Sequence, residues 1–342
     1  MSISLFKIRD KGKYGFMDAD GEVVVEPQYQ GVEDFHNDYA RVKIFDRIVP
    51  MDTLGRLLLK NLFNYVGQME EGLMRVQLVN KWGYIDGRCN VIIEPQYEAV
   101  GDFHGGFASA RYGGLWGYIN REGEFAIKPQ FRHAEPFNNG MAAVKLEDKW
   151  GFINNKGKWV IEPVYEKATT FQGDVATVHE NGSWGLVHKS GQVITPPQYK
   201  TEEGISEGKF SENLAIVKVE DKYGFIDSTG TMMINPVFER VSNFHNGLAA
   251  FQYKDRYGYM TPTAKLHIEP RFDEVQDFSE HLAAVRVKEQ WLYVDVEGHI
   301  AIPPRYLDNV EPFKNGLAWI EKNGMWAYVN REGQVVWLEE DI

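Results

Sequence analysis

A single cysteine, Cys89, stands in the 342 residues. No intrachain disulfide can form, and the expected setting is a reducing compartment. Positive charge is scarce too. The 37 Lys and Arg against 49 Asp and Glu leave a net charge of -12. That excludes a nucleic acid as the expected partner, because neutralising phosphates requires a concentrated cationic surface. No apolar run reaches the roughly 18 to 20 residues that span a bilayer. The opening MSISLFKIRDKGK turns charged before a signal-peptide hydrophobic region could form. The expected location is cytoplasmic, with export lacking a cleaved signal left open. Helix-favouring runs of Ala, Leu, Glu and Lys are nearly missing, and so are the H-E-x-x-H, C-x-x-C and P-loop strings of common enzymes. What is present is 13% aromatics and 33 glycines, the composition of many short strands separated by turns.

The aromatics repeat. Tyr14, Trp82, Trp116, Trp150, Trp184, Tyr223, Tyr257, Trp291 and Trp326 recur at successive spacings of 68, 34, 34, 34, 39, 34, 34 and 35, all but Trp291 followed by a small residue. The first gap holds two periods. RIVPMDTLG, from Arg47 to Gly55, aligns with KYGFMDADG from Lys13 to Gly21 and puts Ile48 in the missing anchor slot. Ten units result. Each reads as a first strand (Ala142 to Leu146), a second beginning at the anchor (Trp150 to Ile153), and an Asp/Asn-x-x-Gly turn such as Asn154 to Gly157. There the Asx side chain bonds the turn backbone and Gly accepts the left-handed conformation. A third strand follows with three apolar residues in a row: Val23 to Val25, Leu57 to Leu59, Val91 to Ile93, and Trp159 to Ile161. Such a run predicts a strand covered on both faces. Pro then ends it, and an aromatic stands two residues on, as in Pro27 and Tyr29, Pro163 and Tyr165, or Pro304 and Tyr306. A loop Phe (Phe35, Phe103, Phe137, Phe171, Phe210, Phe244, Phe278, Phe313) precedes the next first strand.

One unit is too small to bury its aromatics, whereas stacked neighbours can. The expected fold is all-β: a single domain over 1–342 made of about ten three-stranded antiparallel units of 34 residues, stacked as an open, curved β-solenoid. A closed toroid of three-stranded blades is the alternative. The nine anchor aromatics are expected in the core between units, with about 3 to 5 kcal/mol lost if Trp150 is removed.

W-G-[YF]-I-[DN]-x-x-G followed by I-x-P-x-[YF] resembles the WG-repeat (KWG) family. The closest copies are KWGYID at Lys81, LWGYIN at Leu115, KWGFIN at Lys149 and SWGLVH at Ser183. The resemblance covers essentially the whole chain. It implies a mainly bacterial, β-rich array acting as a binding or structural module, and no catalytic residues. Departures fall near the ends, where capping units are atypical. Unit two has Val49 for Gly and Asn61 for Pro, while units nine and ten have Leu292 and Ala327 for Gly. Cys89 occupies a turn-Gly slot and reads as a displaced turn around Gly87.

Functional candidates lie where the repeats differ. Five residues before the anchors stand Arg9, Lys43, Arg111, Lys145, Lys218 and Arg286, with Gln77, His179, Gln252 and Glu321 in the other units. By alternation this slot faces away from the core, so it forms either a basic stripe for an acidic partner or a solvated face paired to carboxylates. The insertion at 201–210 and Trp319 are further candidate contacts. His36, His104 and His245 share one slot but lie in units too far apart to share a metal. Asp18 to Gly21 and Asn181-Gly182-Ser183 read as turns. The expected function is a non-enzymatic scaffold binding a protein partner, with no cofactor and no metal. The alternative is a carbohydrate or cell-envelope binding module, which requires exposed aromatics; a hydrolase assembled from several repeats is the third reading.

Overall fold

The computed structural model describes residues 4–36, 38–45, 47–58, 63–200, 208–305 and 307–339. Among them there is no helix, hence none long and apolar enough to cross a membrane. The strands form ten separate antiparallel sheets, eight of four strands and two of three. The fifth is representative: His133–Ala134, Met141–Leu146, Lys149–Asn154 and Trp159–Tyr165, in that order. The expected three-stranded unit is therefore corrected to four strands in most repeats. The extra strand is usually two residues long, too short for any alternation to register, and lies in what reads as loop. In the gap before Trp82, Gly31–Val32, Tyr39–Ile44 and Arg47–Asp52 form a sheet of their own, with Ile48 opposite Lys43. Of its third strand, Leu57 bridges Met51, while Leu59 and Asn61 fall outside the described residues.

The anchor glycine follows from the pairing of the second and third strands. Trp150 faces Tyr165 and Phe152 faces Ile161, with a register shift between them. The shift drives third-strand backbone against Gly151, where a Cβ would overlap the Ile161 carbonyl and lie 2.7 Å from Pro163 N. Gly15, Gly83, Gly117, Gly185, Gly224 and Gly258 are pressed in the same way. Where the glycine is replaced, the third strand changes. In repeat nine, with Leu292, Arg305 instead of the Pro-x-aromatic residue faces Trp291. In repeat ten Ala327 pairs directly with Leu338.

The core lies between consecutive sheets. Phe152 and Phe171 of repeat five pack with Ala176, Val178 and Val187 of repeat six. The residue two beyond the anchor is its centre. Phe16, Tyr84, Tyr118, Phe152, Phe225, Tyr259 and Tyr293 are all buried. Each meets a loop Phe with ring centroids 4.6–5.1 Å apart, a geometry worth about 0.5–1.5 kcal/mol beyond the area buried. The tyrosine hydroxyls reach loop carbonyls: Tyr84 donates to Gly101, Tyr118 to Glu135 and Tyr259 to Gln276, each at 2.6 Å.

One expectation is corrected here. The apolar triplet is not covered throughout: Val23 and Val24 are 43% and 41% exposed while Val25 is 5%, and Trp159, Val160 and Ile161 are all half-buried. The third strand is an edge of its sheet, so its outer residues have no second layer, and its Pro and register shift blunt the open edge. The anchor expectation holds in part: Trp184 and Trp291 are buried, whereas Tyr14, Trp82, Trp116, Trp150, Tyr223, Tyr257 and Trp326 are half-buried, with Trp82, Trp116, Trp150, Tyr223 and Tyr257 packed against the cores.

The chain divides into two compact units, residues 1–18 with 22–197, and residues 19–21 with 198–342. The open solenoid is overturned. The sheets are separate and blade-like, the arrangement of a ten-bladed β-propeller. The turn Ala19–Gly21 belongs to the second unit, where a Cβ on Gly21 would lie 2.9 Å from Val336 Cγ1.

Candidate ligand-binding surface

Antiparallel pairing places the slot five residues before the anchor directly across from the anchor itself. Arg111 faces Trp116, Lys145 faces Trp150, Lys218 faces Tyr223 and Arg286 faces Trp291. Directly opposed residues share a sheet face, so the rows of Arg111, Lys145 and Lys218 each combine a cation with a half-exposed aromatic, whereas Trp291 opposite Arg286 is buried. The row continues to the short strand on one side and the Pro-x-aromatic on the other: His133, Lys145, Trp150 and Tyr165 in repeat five.

Repeats three to five carry the richest set. The His133 ring sits between two anchors, its centroid 6.0 Å from Trp116 and 5.3 Å from Trp150, and its Nε2 is 3.2 Å from Glu135 Oε1. Tyr65 stands in the corresponding place next to Trp82, 5.3 Å between centroids, with Arg41 and Arg75 over its ring at 5.5 and 6.0 Å. Arg41 is held by Glu33 and donates to the Tyr65 hydroxyl at 2.5 Å. Arg75 Nε lies 3.2 Å from Asp102 Oδ1 but makes no aligned hydrogen bond. Burial raises the Asp102 pKa, outweighing the opposite pull of Arg75.

The six basic candidates have different surroundings. Arg111 lies 3.7 Å from Glu98, and Arg286 lies 2.6 Å from Glu274 while stacking over Trp291. The Lys218 ammonium is 5.3 Å from the centre of the Tyr223 ring. Lys43 is exposed and Lys145 half-buried, each without an ion pair among the described residues. Arg9 is half-buried opposite Tyr14.

Other candidates resolve as turns or clips. Cys89 does not displace its turn. It takes the left-handed position itself, with φ 66°, and its amide donates to the Asp86 carbonyl. Burial, and secondarily Asp86, raise the thiol pKa, the opposite of activation. Asn181 and Gly182, both at positive φ, make a hairpin turn. Asp18 Oδ1 accepts from the Glu22 amide in its own turn. His36 pairs with Glu70 at 2.6 Å and His245 with Asp277 at 3.4 Å. A three-ligand grouping that sequence reasoning missed is Asp295, Glu297 and His299, with ligand atoms within 4.8 Å of one another on an exposed turn. It could offer a metal three donors, although Asp295 already accepts the His299 amide at 2.7 Å. Trp319 meets Trp326 edge-on at 5.5 Å, and its indole N–H is buried without a partner. Of the 201–210 insertion, residues 201–207 lie outside the described residues. It spells Gly204-Ile205-Ser206-Glu207-Gly208, a nucleophile-elbow string, but no described helix supplies the strand-turn-helix context that motif needs. Tyr306, Glu340 and Asp341 are also outside the described residues.

The sequence pattern of the WG containing repeat matches residues 14–44, 82–116, 116–150, 150–183, 184–223, 223–257, 257–291 and 293–326. The chain belongs to the WG-repeat family. No curated protein matches this WG-repeat protein in sequence. Among solved structures, the crystal structure of a eukaryotic initiation factor is similar at a TM-score of 0.56, with 12% identity over 99% of this chain and 96% of that one. At that identity the likeness concerns the fold alone, which is propeller-type. Hsv2p of Kluyveromyces lactis is also similar, with 10% identity, 58% of this chain, 74% of that one and a TM-score of 0.34. PorZ of Porphyromonas gingivalis, with 10% identity, 98% of this chain, 61% of that one and 0.32, is a further match.

Proposed function

We propose that this WG-repeat protein is a non-catalytic binding module whose ligand is a carbohydrate of the cell-envelope type, held on the aromatic rows of repeats three to five. The observation carrying this reading is that Trp82, Trp116 and Trp150 are half-exposed at one register position, each with hydrogen-bonding side chains beside it. A sugar ring presents an apolar C–H face edged by hydroxyls. An indole supplies an apolar surface with a polar edge, and Arg111, Lys145, His133 and Glu135 supply donors and acceptors. Few convergent polar groups on an aromatic surface are the usual make-up of a small-molecule site.

Binding to a glycan panel, followed by tryptophan fluorescence, tests it. A saturable response is expected from the native protein and its loss from a Trp116→Ala, Trp150→Ala double variant that circular dichroism shows to be folded at the assay temperature. Silence across the panel would remove the carbohydrate reading.

A protein partner is the second reading, favoured by exposed apolar third-strand positions such as Val91, Ile92 and Met233, 42%, 45% and 50% exposed. Its check is capture of a partner that is lost on charge reversal at Lys43, Arg111, Lys145 and Lys218.

A further inference from the structure

The last two repeats break the packing rule in a way that leaves a cavity. In repeat five the third-strand residue facing the anchor is Tyr165, which belongs to the core between sheets. In repeat nine the residue facing Trp291 is Arg305. Repeat ten lacks the Pro-x-aromatic segment, and Ala327 pairs straight across to Leu338. Between these sheets, inside the second compact unit, lies a cavity of about 410 Å³ lined by Arg305, Leu307, Ile320, Lys322, Met325, Ala327, Val335 and Leu338. That volume lies within the small-molecule range of about 300–1,000 Å³.

Its lining is of two kinds. Ile320 faces Ala327, and Lys322 faces Met325, so all four project from one face of the last sheet. The floor is thus apolar with an ammonium at one end. Arg305 approaches from the neighbouring sheet, spending one N–H on the Gly333 carbonyl at 2.5 Å. Neither cation has an ion pair among the described residues. Among the described residues the lining is six apolar side chains and two cations with no carboxylate, a site of stated chemistry for an apolar body that carries an anion.

We propose that this cavity binds a small amphipathic carboxylate, an aliphatic chain of medium length with its carboxylate between Lys322 and Arg305. The site is separate from the aromatic rows and does not depend on the carbohydrate reading.

The test is isothermal titration of the full chain with octanoate and, as an uncharged counterpart, 1-octanol. Saturable binding of one octanoate per chain is expected, with octanol weaker. Lys322→Met is expected to weaken octanoate about tenfold, the size of one charge-assisted contact, and to leave octanol unchanged. Ala327→Leu, which fills the floor, is expected to abolish both. Circular dichroism and melting of each variant separate a filled cavity from a misfolded sheet. If Ala327→Leu fails to fold, the octanoate-to-octanol ratio of Lys322→Met still decides. No saturable octanoate binding at millimolar concentration, or an equal change for both probes in Lys322→Met, would overturn the proposal.

Discussion

Repeats five and ten start from the same phrase, KWGFINNKG against MWAYVNREG, and end differently. In repeat five the glycine admits a shifted third strand that brings Tyr165 back over the core. In repeat ten Ala327 forbids that approach, the third strand pairs without Pro or Tyr, and a cavity remains. The difference teaches that the Gly and the Pro-x-aromatic segment are one device. The glycine is not a flexible hinge but the absence of a Cβ where backbone must pass.

The largest break in that comparison comes from the core aromatic. Phe152→Ala should cost about 3 to 5 kcal/mol in denaturant unfolding. Trp150→Ala, two residues away but half-exposed, should cost less, roughly 1.5 to 2.5 kcal/mol on the same scale. Equal losses would remove the distinction between anchor and core. Gly151→Ala forces a methyl into the third-strand backbone and is expected to cost about 1 to 3 kcal/mol, typical of overpacking. The reciprocal Ala327→Gly should cost only about 0.5 to 1 kcal/mol of strand propensity.

The turns offer a gain rather than a loss. Gly157 and Cys89 hold the same turn position at φ 73° and 66°, and a side chain in the left-handed region costs roughly 1–2 kcal/mol. Cys89→Gly should therefore raise stability by about 1 kcal/mol, and a fall would contradict the assignment.

The smallest expected effect is acid sensitivity. Repeats five and six are clipped by a neutral contact, Asn139 Nδ2 donating to the Gly173 carbonyl at 2.6 Å. Repeats nine and ten are clipped by Glu280, which accepts from the Gly316 amide and from Arg331. Burial alone would raise the Glu280 pKa, but these hydrogen bonds and the Arg331 charge together lower it below 4.5. A depressed folded-state pKa gives stability that is present above the unfolded value and lost as pH falls through the folded value. Hydrogen exchange at the Gly316 amide should accelerate in that window beyond its intrinsic pH dependence, while the Asn139 clip should not change.

Much of this was legible in the chain. The 34-residue period, the Asx turns and the Ile48 unit follow from residues at fixed offsets. The two-residue strands such as His133–Ala134 were not legible, because two residues carry no periodicity. The exposure of Val23 and Val24 is not legible, because they are as apolar as the buried Val25. The blade-like separation of the sheets was not legible either, because a strand's pattern does not say which strands share a sheet. The slot five residues before the anchor is legible as a surface position, whereas the half-exposure of Trp116 and Trp150 is not, because it depends on how far the edge of each sheet is covered.

Hydroxyl-radical footprinting with mass spectrometry, with and without a bound glycan, tests the central claim most directly. Trp82, Trp116 and Trp150 should be oxidised in the free protein while Trp184 and Trp291 are spared, and the glycan should protect Trp116 and Trp150. Oxidation of Trp184 to the same extent as Trp150, or no protection at Trp116 and Trp150 under saturating glycan, would contradict the account.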